Sequence, residues 1–221
     1  MNLKKSTLNF LSQLAENNDR NWFEANKEAY FKAKENVESL AFELLKFLSA
    51  DDPRYALLSP SDTMFRIYRD VRFSKDKSPY KNNMGIYLNP MGKKENLPGF
   101  YVHVQPGGCF IAAGMWEPDK DKLYKIRQEI DYNFDGFSDI IKGKKFVKIF
   151  PEVFAKSDKL SRPPKGFDAD NPAIEFIKLK SFVVSNPITD DEVLSIAYLK
   201  KIQETFNVAK PLIHFLNVAI S

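Results

Sequence analysis

Cysteine occurs once in these 221 residues, at Cys109, and histidine only twice, at His103 and His214. A single thiol excludes an internal disulfide, and a cytoplasmic protein is the simplest expectation. No His-x-His, His-x-x-x-His or paired-cysteine spacing is present, so no metal site is expected. Gly-rich phosphate loops of the Walker or dinucleotide type are missing as well: Gly107-Gly108 reads as a hairpin turn and Gly114 stands alone. The longest apolar runs, such as Phe182-Val183-Val184, fall far short of the roughly 20 residues that span a bilayer, so no membrane partner is expected. Met1-Asn2-Leu3-Lys4-Lys5 leads into a polar, periodic segment without the apolar core of a signal peptide. Internal repeats, low-complexity tracts and charge blocks are lacking too.

What is present is an ordinary globular balance, with 43% hydrophobic and 28% charged residues. Phenylalanine is frequent, with 19 copies, which points to an aromatic-rich core. The pI near 8.9 is only mildly basic. Dedicated nucleic-acid domains usually combine a pI above about 9 with a broad basic face, so a compact anionic ligand fits this balance better than a long polymer.

The positive charge is concentrated. Residues 65–81 read FRIYRDVRFSKDKSPYK, in which six cations face two anions and leave an excess of +4, as large as that of the whole chain. Arginines at three-residue intervals beside aromatics are suited to gripping phosphate or carboxylate in a bidentate way.

Periodicity organises the rest. A first helix is expected from Ser6 or Thr7 to Glu16, with Leu8, Leu11 and Leu14 inward. Asn17-Asn18-Asp19 breaks it, and Asp19 is placed to cap a long second helix that carries Phe23, Tyr30, Ala33, Val37, Leu40, Leu44 and Leu48 and stops at Asp51-Asp52-Pro53. Residues 64–73 alternate apolar and polar as a half-buried strand does. Further strands are expected over 84–88, 100–105, 109–113 and 179–185, the middle two joined by Pro106-Gly107-Gly108. A helix is expected over 119–132 and a polar, proline-rich loop over 158–172. Thr189-Asp190-Asp191-Glu192 is a capping box opening a helical region that Pro211 kinks or divides. The expectation is a single α+β domain over 1–221, with a central antiparallel sheet flanked by N-terminal and C-terminal helices.

On strand parity, Arg66, Tyr68, Asp70 and Arg72 share one face, while Arg69 points inward with Ile67 and Val71 and needs a carboxylate or several carbonyl partners. Arg66 and Arg72 are therefore the candidate anion clamp, with Arg69 beside them. Lys75, Lys77 and Lys81 would neutralise the ligand, and Ser78 with its neighbouring amides would add an anion nest near Tyr80. Arg162 and Lys165, set among rigid prolines, form a second basic element. His103 or Asp70 would handle protons, His103 because it alternates with Tyr101 and Gln105 on a polar strand face. A hairpin turn at 106–108 would bring Cys109 diagonally beside His103, although a lone strand thiol is more simply packing. His214, in apolar helical surroundings, reads as packed or capping.

Three functions compete on these residues. The first is binding of, or catalysis on, a small anionic, phosphorylated ligand. The second is a nucleic-acid module in which Tyr68, Phe73, Tyr80 and Tyr101 stack bases. The third is an interaction protein whose Arg and Asp residues only brace the sheet. No cofactor is specified.

Asn17-Asn18-Asp19-Arg20-Asn21-Trp22-Phe23, FRIYRDVRFSKDKSPYK, Tyr101-Val102-His103 before Pro106-Gly107, Gly114-Met115-Trp116-Glu117-Pro118, and RPPKGF with Asn171-Pro172-Ala173 together resemble the DUF2461 family of uncharacterised proteins. The resemblance covers nearly the whole chain. It implies one domain and supplies no activity or catalytic residue. Ser78 stands where a threonine is more usual in that pattern, Asn82-Asn83 also departs from it, and Cys109 matches no cysteine of it.

Overall fold

The computed structural model describes residues 1–155 and 157–221. It is an α+β protein with an antiparallel four-stranded sheet, as the periodicities predict. The described residues fall into two compact units. One comprises Met1–Glu95, Tyr101–Ile111 and Pro187–Gln203, the other Asn96–Phe100, Ala112–Asn186 and Glu204–Ser221.

The first unit opens with α1 (Lys5–Glu16), which buries Leu8, Phe10, Leu11 and Leu14. Asp19 caps the next helix as its position predicts, accepting from the Asn21 and Trp22 amides at 2.9 and 3.0 Å. The long helix expected from here is in fact two, α2 (Arg20–Ala25) and α3 (Lys27–Leu48). Asn26 separates them at φ −110°, ψ 18°, with its side-chain amide donating back to the Trp22 carbonyl at 2.8 Å. An amide side chain that competes for backbone partners is a local helix breaker. Helix α3 buries Ala33, Val37, Leu40, Ala41, Leu44, Leu45 and Leu48 at helical spacing. Among them lies Asn36, whose side-chain oxygen accepts from the Lys4 amide and the Thr7 hydroxyl, both at 2.8 Å, and so ties α1 to α3. A 3-10 turn (Pro53–Leu57) and the short α4 (Pro60–Thr63) lead into the basic segment.

That segment is not the strand its alternation predicts. Only isolated antiparallel bridges form, Met64 with Ile86 and Tyr68 with Tyr80. The hydrogen bonds are scattered: Phe65 N to the Gly85 carbonyl (3.2 Å), Arg69 N to the Pro79 carbonyl (2.9 Å) and Lys81 N to the Ile67 carbonyl (2.7 Å). Pro79 has no N–H to continue a ladder, and the Asp70 carboxylate takes the Arg72 amide at 3.2 Å. The parity argument fails with the strand. Phe73, expected inward, is 95% exposed, and Phe65 is 41% exposed, whereas Ile67 is buried.

The sheet follows in the order β1 (Met84–Leu88), β2 (Gly99–Val104), β3 (Phe110–Met115) and, much later, β4 (Phe182–Pro187). On β2, Phe100, Val102 and Val104 are buried while Tyr101 and His103 are part-exposed, so here the alternation is realised. The β2–β3 connection places Pro106 and then Gly107, at φ +68°, in a tight turn closed by Gly108 N to the Gln105 carbonyl at 2.9 Å.

In the second unit, α5 (Lys120–Tyr132), capped by Asp119, is followed by two helices that the sequence reading passes over, α6 (Phe134–Lys142) and α7 (Lys144–Ile149). The polar loop lies where expected, ahead of the short α8 (Ile174–Ile177). Phe137, Phe154, Phe176, Phe182 and Phe215 meet ring to ring, which accounts for part of the phenylalanine surplus. Gly114, at φ +134°, brings β3 against the Phe182 carbonyl with no room for a side chain.

The Thr189 capping box opens only the short α9 (Asp190–Leu194). Helix α10 (Tyr198–Ile220) then runs through Pro211 without dividing. Pro211 is exposed, while Leu212, Ile213, Phe215 and Leu216 beyond it are buried, and that burial offsets the one missing hydrogen bond. His214 is exposed on this helix, not packed as its neighbours suggest. Among the described residues no helix is long and apolar enough to cross a membrane.

Candidate functional site

The first unit contains a cleft of about 400 Å³ lined by Phe65, Arg66, Arg69, Asp70, Lys81, Asn83, Gly85 and Tyr101. Its position is set from the N-terminal helices. Asn18 grips the Tyr80 backbone at both ends, Nδ2 donating to the carbonyl at 3.0 Å and Oδ1 accepting from the amide at 3.1 Å. The Tyr80 ring stacks on Phe23 with centroids 4.0 Å apart and planes at 13°. With Tyr80 held, the next residue, Lys81, is directed to the cleft wall. Tyr80, read from sequence as a ligand residue, is 4% exposed and acts as the seat.

Within the cleft the cations differ in how they are satisfied. Arg69 donates to the Asp76 carboxylate and, at 3.4 Å, to the Ser74 hydroxyl, the carboxylate partner its sequence position called for. Asp76 is held well below the usual carboxylate range, first by the Ser78 hydroxyl and amide and then by Arg69. Arg66 is exposed, and among the described residues no hydrogen bond or ion pair holds its guanidinium. Lys81 is half-buried, with its ammonium 5.5 Å over the Phe65 ring. Burial first, and then the nearby Arg66 charge, pull the Lys81 pKa down. A cation that is already desolvated and repelled by a neighbour gains from an arriving anion.

Arg72 and Asp70 form a bidentate pair instead, Nε to Oδ1 at 3.0 Å and Nη2 to Oδ2 at 2.7 Å. Asp70 lines the cleft, but the Arg72 side chain and amide, followed by Arg66, keep its pKa low. It is therefore a fixed carboxylate at neutral pH, unsuited to the proton-handling role considered for it. Arg72 is not in the cleft lining, and neither are Lys75 and Lys77. Both lysines are exposed, and Lys77 donates to the Val71 carbonyl at 2.9 Å. Arg162 and Lys165 are exposed on the proline-rich loop of the second unit and do not line this cleft.

His103 does not line the cleft but touches a residue that does. The Tyr101 hydroxyl lies 2.9 Å from His103 Nδ1, and His103 Nε2 lies 2.9 Å from Gln105 Oε1. Burial pushes the Tyr101 phenol up to about 12. Burial also lowers the His103 pKa, against an opposing pull from the Gln105 hydrogen bond. Phe110, not Cys109, lies on His103, with the rings stacked at 4.6 Å and 14°. Cys109 is buried, its thiol donating to the Gln105 carbonyl at 3.1 Å and pushed up by burial, so it is no nucleophile for His103.

Phe65, Asn83, Gly85 and Tyr101 were not read from sequence as lining residues for an anion. Gly85, the second residue of β1, carried a usable signal: a strand glycine marks close approach, and here a Cβ would meet the Tyr101 ring at 2.9 Å.

These residues fall in motifs spread along the chain, and the chain matches the family model described as conserved hypothetical protein (DUF2461) over residues 6–215. It belongs to that family. No curated protein and no solved structure matches it.

Proposed function

We propose that the protein binds a small anionic, phosphorylated ligand in the cleft, with Arg66 and Lys81 as the principal anion-binding side chains. The observation that carries this reading is the unpartnered Arg66 guanidinium beside a half-buried Lys81 whose pKa is already lowered. Two cations are thus held near one another, and the one carboxylate of the cleft lining, Asp70, is already paired with Arg72. An arriving anion would relieve the repulsion between them and the desolvation of Lys81. Arg69, neutralised by Asp76, shapes the wall more than it attracts the ligand. Cytoplasmic residence is part of the same proposal, since it fits a lone buried thiol.

The bracing-network reading is weaker. Asp70 and Asp76 are exposed, and ion pairs between exposed groups contribute little to stability. The nucleic-acid reading keeps one supporting observation, Phe73 at 95% exposure with the Arg72 guanidinium 5.8 Å from its ring centroid.

Thermal shift and calorimetric titration with phosphate, sugar phosphates and short oligonucleotides at two salt concentrations separate these readings. A phosphorylated ligand at about 100 times its Kd raises Tm by roughly 5–10 °C. Arg66→Ala and Lys81→Ala each weaken it about tenfold or more. Absence of any shift with phosphates removes the proposal. Oligonucleotide binding with a steep salt slope, lost on Phe73→Ala, replaces it with the nucleic-acid reading.

A further inference from the structure

Tyr101 gives the cleft a polarity that its cations alone do not. Gly85 and Tyr101 line it side by side, and the absent Gly85 side chain leaves the space that the phenol end of Tyr101 fills. The far side of that hydroxyl meets His103 Nδ1, and Gln105 Oε1 meets Nε2. An amide oxygen only accepts, so Nε2 carries the imidazole proton. The imidazole is neutral at pH 7, since burial lowers its pKa, and Nδ1 is therefore an acceptor. The phenolic proton is committed to Nδ1, and the Tyr101 oxygen is left with lone pairs for the cleft.

We propose that Tyr101 makes the site selective for phosphate esters that carry a free hydroxyl close to the phosphate, with Arg66 and Lys81 holding the phosphate and the Tyr101 oxygen accepting the ligand's hydroxyl. The inference rests on the anion-site reading above and adds the ligand's second feature. A bare phosphate oxygen gains nothing from Tyr101, because two acceptors face each other. His103 is the positioning residue, since its tautomer decides which way the Tyr101 proton points. When His103 becomes protonated, Nδ1–H donates to the Tyr101 oxygen and the phenolic hydrogen turns toward the cleft. The groups against His103 are Tyr101, Gln105 and the Phe110 ring, none of which changes charge near neutral pH. The charged groups beyond Tyr101 are Arg66, Arg69, Asp70 and Lys81, which act alike on any ester with the same phosphate.

The test is calorimetric titration of the full chain with glycerol 3-phosphate and with n-propyl phosphate, probes of equal length and charge. The hydroxylated ester binds about 5–10-fold tighter, the worth of one good hydrogen bond. In Tyr101→Phe the ratio falls to about one. In the unsubstituted protein the ratio also declines as pH falls through the His103 titration, followed by NMR of its imidazole. Both esters lose their second phosphate proton near pH ~6, so the ratio cancels the ligands' own titration. The pH arm needs no variant and survives a failure of Tyr101→Phe to fold. Equal affinities in the unsubstituted protein, or a preference that persists in Tyr101→Phe, overturn the inference while leaving the anion site standing. A preference indifferent to His103 titration overturns the role given to His103. No binding of either ester or of inorganic phosphate overturns the anion site and this inference together.

Discussion

The two ends of the basic segment use the same kinds of side chain and reach opposite outcomes. Over residues 69–78 two arginines are spent locally: Asp70 holds Arg72, and Asp76 holds Arg69 together with the Ser78 hydroxyl and amide. At 66 and 81, which are fifteen residues apart in sequence, Arg66 and Lys81 line one cleft whose carboxylate, Asp70, is bound to Arg72. Arg72 has its carboxylate two residues away, whereas Arg69 reaches Asp76 across the intervening loop. A carboxylate two residues from an arginine closes a short ring at small entropic cost. Lys81 is instead placed by the Tyr80 seat, an element of tertiary structure that carries no charge. Local density of positive charge thus does not by itself mark which cations are taken up in ion pairs.

The comparison is broken most severely by removing the seat. Phe23 is fully buried and in ring contact with Phe10, Tyr30, Tyr68 and Tyr80. Phe23→Ala should cost about 3–5 kcal/mol in urea unfolding. It should also weaken phosphate binding beyond tenfold under conditions where the variant remains folded. Binding unchanged in a folded Phe23→Ala would show that Lys81 does not depend on Tyr80.

A smaller effect is expected at the cleft floor. In Gly85→Ala the new methyl meets the Tyr101 ring and hydroxyl, and the ring must move. The cost should be roughly 1–3 kcal/mol, as for other overpacked sites. The Tyr101–His103 hydrogen bond should be lost, visible as a shifted imidazole NMR titration. The sign follows from burial: His103 has a lowered folded pKa, so its contribution to stability is present above the unfolded value near pH ~6.5 and is lost as pH falls through the folded pKa. A tyrosine displaced enough to wet the imidazole shrinks that loss. An unaltered His103 titration in the variant would mean that the ring has kept its place.

The smallest effect sharpens the contrast itself. Arg72→Ala removes a pair in which the arginine side chain is 76% exposed, so the urea-unfolding midpoint should hardly move. Phosphate affinity should fall less than threefold, against about tenfold for Arg66→Ala, by calorimetry at fixed ionic strength. Equal losses in the two variants would abolish the distinction between spent and unspent charge.

Much of the fold was legible wherever one local rule dominated. The Asp19 cap, the α3 stripe, the β2 alternation and the Thr189 capping box each depend on residues within a few positions of one another. Reading failed where two local rules competed. Asn26 breaks a helix that apolar spacing would continue, and Asp70 and Pro79 break a strand that alternation would continue. Of the candidate site, Arg66, Arg69, Asp70 and Lys81 were singled out by charge, and the structure brings them into one cleft. Their roles were not legible, because parity assigned the clamp to Arg72 and the strand beneath that parity does not form.

The amino-acid sequence by itself determined most of the long helices and the approximate places of the four strands, the family and the short basic segment in which five of the cleft residues lie, because each depends on composition and short-range spacing. Only tertiary structure decided which of those cations stay unpaired and that Tyr101 completes the wall. Those outcomes turn on distances between residues such as Asn18 and Tyr80, or Gly85 and Tyr101, that no sequence period encodes.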